Sequence, residues 1–113
     1  MSIAERGYCE VFVDGAAEAD LEGLVASHFS DGVTVDVRRN QGADPARVDA
    51  SADDFLFFPV VLDIQPNTDI DRRIYIERVG ALLEKLWSNG LRAVAACDFE
   101  DELPRHGGYS SVA

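Results

Sequence analysis

Cations are scarce in this chain. Ten Lys and Arg stand against 21 Asp and Glu in 113 residues, for a formal net charge of −11 at pH 7. A field this negative repels phosphate backbones and anionic lipid, which sets nucleic acid and membrane surfaces aside as partners. It leaves two meanings for the acid excess, a basic protein partner or solubility alone. Long apolar runs are missing as well, so no segment has the length of a membrane span. Met1 to Gly7 has neither the basic nor the apolar stretch of a secretory leader, and the expectation is a cytoplasmic protein. Cysteine is limited to Cys9 and Cys97, which form neither a CxxC pair nor a zinc spacing. In a reducing compartment two such thiols read as small buried hydrophobes, and no metal or cofactor is expected.

What is present is a regular alternation of patterns, in a length suited to a single domain over 1–113. Tyr8 to Val13 alternates, with Cys9, Val11 and Val13 on one side and Tyr8, Glu10 and Phe12 on the other, and predicts a strand. After the Asp14-Gly15 turn, Leu21, Leu24, Val25, His28 and Phe29 recur at helical intervals until Ser30-Asp31-Gly32. Val33, Val35 and Val37 alternate with Thr34, Asp36 and Arg38 in a second strand. The polar stretch from Asn40 to Asp54 reads as a long mobile loop. Phe55 to Ile64 predicts a third strand, with Leu56, Phe58, Val60, Leu62 and Ile64 facing one way and Phe55, Phe57, Pro59, Val61 and Asp63 the other. Thr68 and Asp71 stand at capping-box spacing before a helix whose stripe is Ile76, Val79, Leu83, Leu86 and Trp87, closed by Asn89-Gly90. Leu91 to Phe99 predicts the last strand, and residues from about 105 to 113 a flexible tail.

The order β-α-β-β-α-β predicts an α+β, ferredoxin-like two-layer sandwich, a four-stranded antiparallel sheet with two helices on one face. The other face is then open, and it carries Tyr8, Glu10, Phe12, Phe55, Phe57, Val61, Val94, Ala96 and Asp98. Aromatic rings among carboxylates suit a protein interface, where rings supply buried area and acids choose a basic partner. Pro59 offers a second reading, since a bulge there would turn Phe55 and Phe57 toward the core.

Asp98-Phe99-Glu100-Asp101-Glu102 is the densest acidic run. Consecutive residues of an extended chain point in alternating directions, so the run is a poor Mg²⁺ or Ca²⁺ site. As a docking patch it would present Asp98, Glu100 and Glu102 on one side, with Asp101 beside them. Catalytic patterns are sparse: His28 lies near a helix C-terminus, His106 in the tail, and no HExxH, GxSxG or phosphate-cradling glycine loop occurs. Glu10 and Asp98 would form a paired-carboxylate site if the first and last strands are neighbours.

The segments Tyr8-Cys9-Glu10-Val11-Phe12-Val13-Asp14-Gly15 and Ala95-Ala96-Cys97-Asp98-Phe99-Glu100-Asp101-Glu102-Leu103-Pro104, in a small, acidic βαββαβ chain, resemble the bacterial immunity proteins of polymorphic and contact-dependent toxin systems. The resemblance lies in size, charge and pattern, without a shared motif. It implies a non-catalytic cytoplasmic antidote that binds a cognate basic toxin domain. Two alternatives belong to other classes: a homodimeric small-molecule-binding or regulatory domain of the same fold, and a small enzyme.

Overall fold

The computed structural model describes residues 8–28, 32–44, 52–67 and 70–108. In chain order these form β1 (Cys9–Asp14), α1 (Glu18–His28), β2 (Val33–Arg39), β3 (Val60–Pro66), α2 (Arg72–Ser88) and β4 (Arg92–Ala96), with short 3₁₀ segments at Ala52–Phe57, Glu100–Glu102 and Pro104–Gly108. The fold is α+β: one four-stranded sheet in the order β2-β3-β1-β4, with every neighbouring pair antiparallel, and two helices.

The strands follow their alternation. Cys9, Val11 and Val13 of β1, Val60, Leu62 and Ile64 of β3, and Ala93 and Ala95 of β4 are buried in one cluster. The same cluster takes Leu21 and Val25 from α1 and Tyr75, Ile76, Val79, Leu82, Leu83 and Leu86 from α2, so both helices bury their apolar stripes against one set of alternate strand residues. α1 carries Glu18 and Asp20 in its first turn, where the helix dipole favours acids. α2 begins at Asp71, whose carboxylate accepts from the N–H groups of Arg73 and Ile74. Asp71 is thus the cap itself rather than the third residue of a box begun by Thr68, which lies outside the described residues. Gly80 lets Pro104 approach α2, since a Cβ there would stand 3.0 Å from the proline Cδ.

Three expectations change. The third strand starts at Val60, not Phe55, because Pro59 has no N–H for a ladder, and the preceding residues coil into a 3₁₀ segment. Leu56 is accordingly 49 % exposed instead of facing the core. The last strand ends at Ala96, and the acidic run behind it turns and coils rather than extending. Of the loop expected over Asn40 to Asp54, residues 45–51 lie outside the described structure, and Asn40 itself is buried. Of the expected tail, residues up to 108 form the last 3₁₀ segment, and 109–113 lie outside the described residues.

The second face of the sheet is partly roofed. Phe55 and Phe58 fold back over it and bury Phe12, Val61 and Val94 in a separate cluster. Phe12 and Phe55 meet edge to face with ring centroids 5.4 Å apart. Asn40 fixes this roof: its amide nitrogen donates to the carbonyls of Leu56 (2.8 Å) and Phe58 (2.7 Å), and its side-chain oxygen accepts from the N–H of Gly42 (3.0 Å).

Candidate functional site: an acidic row beside a roofed sheet face

Register assembles the site. Asp36 faces Asp63, Asp63 faces Glu10, and Glu10 faces Ala96, so one row across β2, β3, β1 and β4 carries three carboxylates on the face away from the helices. The next row, Arg38, Val61, Phe12 and Val94, lies under the roof for most of its width. The face is therefore divided into an apolar half closed by Phe55 and Phe58 and an acidic half outside that roof, where the Tyr8 and Arg38 side chains lie against Asp63.

Like charges directly opposite each other in a sheet repel, and one cation answers them. The Arg38 guanidinium donates from Nε to Asp63 and from Nη2 to Glu10, the latter at 2.9 Å. Tyr8 donates its hydroxyl to the other oxygen of Asp63. Partial burial, then the bond to Asp63 and that charge, hold the Tyr8 hydroxyl protonated well above the ordinary tyrosine range. The bond to Asp63, with the charges of Asp63 and Glu10, raises Arg38 further, so the cation is permanent. Asp36 is exposed and has no cation in its own chain among the described residues. At the roof's other side Arg92 pairs with Asp14 and lies over the Phe58 ring, 5.1 Å from its centroid.

Of the residues singled out in the sequence, Glu10 stands in this row and Tyr8 beside it, bonded to Asp63. Phe12 and Phe55 are on the expected face but buried, at 8 % and 6 % exposure, and Phe57 is half-buried. The acidic run is dispersed. Glu100 turns back to accept from the Cys97 N–H (2.9 Å), and Glu102 takes a bidentate bond from Arg72 at the start of α2, which holds its carboxyl below the usual range. Phe99 and Leu103 are buried between them, while Asp98 and Asp101 are exposed. Glu10 and Asp98 do not form an acid-base pair, since the Glu10 carboxyl is bonded to Arg38 and Asp98 lies past the end of β4. Among the described residues no group of three or more His, Cys, Asp or Glu side chains is placed to hold a metal ion.

Asp36, Arg38 and Asp63 were not singled out. Their signal was in the alternation of β2 and β3, and it becomes visible only when the register lays the three strands side by side.

The two thiols do meet. Extending the Glu10–Ala96 register by one residue sets Cys97 opposite Cys9. The interaction with Cys97, then burial, pushes the Cys9 thiol up, and the interaction with Cys9 holds Cys97 below the ordinary thiol range. Both lie near Tyr75, whose hydroxyl is raised by burial first and by the thiols second.

Comparison with protein families, with curated proteins and with solved structures found no match. Among the described residues no helix is long and apolar enough to cross a membrane.

Proposed function

We propose that the chain is an acidic, non-catalytic protein-binding module that neutralises a cognate basic toxin domain, as an immunity protein does. The observation that carries the reading is the row Asp36, Asp63 and Glu10 beside the exposed ring of Tyr8, three carboxylates against one guanidinium on the half of the sheet face outside the roof. A cationic cleft that binds phosphate would meet carboxylates at fixed spacing there, with an aromatic ring at the edge to supply buried area. The net charge of −11 speeds the encounter with such a partner. A ferredoxin-like plan belongs to the same proposal and is supported by the element order together with the antiparallel strand order β2-β3-β1-β4. Cytoplasmic residence belongs to it too, because the partner to be neutralised acts there.

The test is co-expression with the C-terminal domain of a large exported protein encoded beside this gene. The expected result is a complex that co-purifies and restores growth, and a Tyr8→Ala/Glu10→Gln variant that folds yet rescues poorly. A neighbouring domain that is toxic and neither bound nor neutralised by the chain would overturn the reading.

A further inference from the structure

β2 is an edge of the sheet, and the backbone tells which of its groups face outward. The Asn40 N–H donates to the Pro59 carbonyl at 2.9 Å, and the Gly32 carbonyl accepts from the Asn67 N–H at 2.8 Å. Residues 32 and 40 thus turn their polar groups toward β3, and with a period of two so do 34, 36 and 38. The N–H and C=O groups of Val33, Val35, Val37 and Arg39 therefore point away from β3, where no described strand meets them. On the helix side, Val33, Val35 and Val37 are only half-buried and line an open groove with Val25 and Ala26 of α1. The opposite edge is different. The Trp87 indole donates to the Ala93 carbonyl at 3.0 Å, and Gly107 and Gly108 pass along Ala95 and Ala93.

We propose that β2 pairs antiparallel with β2 of a second copy of this chain, about a two-fold axis at Val37. The register follows from charge. With Val37 opposite Val37, Asp36 faces Arg38 of the copy and Arg38 faces its Asp36, on the non-hydrogen-bonded positions where side chains lie closest. Asp36, the carboxylate of the row without a cation among the described residues, gains a share of the copy's Arg38 guanidinium, which also holds Asp63 and Glu10 of its own chain. The outward groups of Val35 pair with those of Arg39, whose aliphatic stem covers the half-exposed valine. A shift of one residue along each strand is disfavoured either way: a two-fold at Asp36 opposes two aspartates, and one at Arg38 opposes two guanidiniums. The charge pattern selects a second copy over an unrelated strand, because the sequence of β2 is complementary to its own reverse. Asp36 belongs to both surfaces, but this inference is carried by the open edge of β2 and the order of charges along it, not by the toxin-binding reading.

Sedimentation equilibrium over a concentration series reads the outcome. A reversible monomer-dimer equilibrium is expected. Val37→Pro deletes the outward N–H without touching the β3 ladder and should leave monomers with an unchanged circular dichroism spectrum. Asp36→Asn should raise the dissociation constant by about tenfold and Asp36→Arg by more. If the dimer were instead centred on Asp36, Asp36→Asn would tighten it. A monomeric wild-type chain at every concentration, a tighter Asp36→Asn dimer, or a dimer that survives Val37→Pro with its fold intact would each overturn the proposal. Should Val37→Pro fail to fold, the two Asp36 variants decide.

Discussion

Asn40 shows what a single residue can hold. It is buried, and its described side-chain bonds go to the backbone of its own loop and of the 52–58 segment. Asn40→Ala leaves two carbonyls and one N–H without that partner, and is expected to cost about 1–3 kcal/mol in a urea titration. Nothing in the local sequence marks this role, because a polar residue after a strand is ordinary loop chemistry until the chain is known to return over it. The tyrosines supply a pH dependence at the same scale. Tyr8 and Tyr75 both have folded-state pKa values raised above the ordinary value of about 10. The folded state holds these protons more tightly, so the associated stability is complete below about pH 10 and is lost as pH rises beyond it. Denaturation midpoints should fall above that pH, and Tyr8→Phe should flatten part of the decline relative to the parent chain. Tyrosinate absorbance should rise with unfolding rather than before it.

At the scale of elements, the strands with strict alternation were legible, and so were both helices, although α2 also buries Tyr75 and Leu82, which its predicted stripe left out. The boundary at Pro59 was not. Ten residues from Phe55 to Ile64 alternate as one strand would, yet Pro59 and Asn40, 18 residues before the Phe58 carbonyl that it holds, divide them into a roof and a strand. Phe55 and Phe12 were placed on the right side of the sheet, but alternation says nothing about whether a neighbour folds over that side. The roof's packing makes a prediction. Phe55→Ala removes the edge-to-face partner of Phe12 and uncovers Val61 and Val94, and should cost roughly 3–5 kcal/mol by chemical denaturation. The run from Asp98 to Glu102 failed to extend for a related reason: Phe99 and Leu103 are drawn into the core, and the chain must coil to bury both.

Over the whole molecule, composition foretold the charge, the order of elements foretold the α+β class, and the register told where the charge lies. Three carboxylates from three strands form one row only because β1 and β3 are neighbours at the centre of the sheet, and no local window contains that fact. Carboxylates in excess by eleven also repel one another, in the row and elsewhere. Raising the ionic strength from low salt to about 0.15 M, where the screening length is about 8 Å, should therefore increase the denaturation midpoint. A midpoint that falls would show that the paired charges, Arg38 with Asp63 and Glu10 and Arg92 with Asp14, outweigh the repulsion.

The two rims of the sheet are unlike, and this bears on solubility. At Gly108 the backbone has φ +105° and runs so close that a Cβ would stand 2.5 Å from the Ala93 carbonyl oxygen, so the rim along β4 is occupied by the chain's own later residues. A sheet with two bare rims can add strands from both sides without end, which is the route to fibrils. With one rim filled, edge-to-edge growth through β2 stops after a single addition, and the concentrated protein should remain in small assemblies for as long as residues 104–108 stay in place.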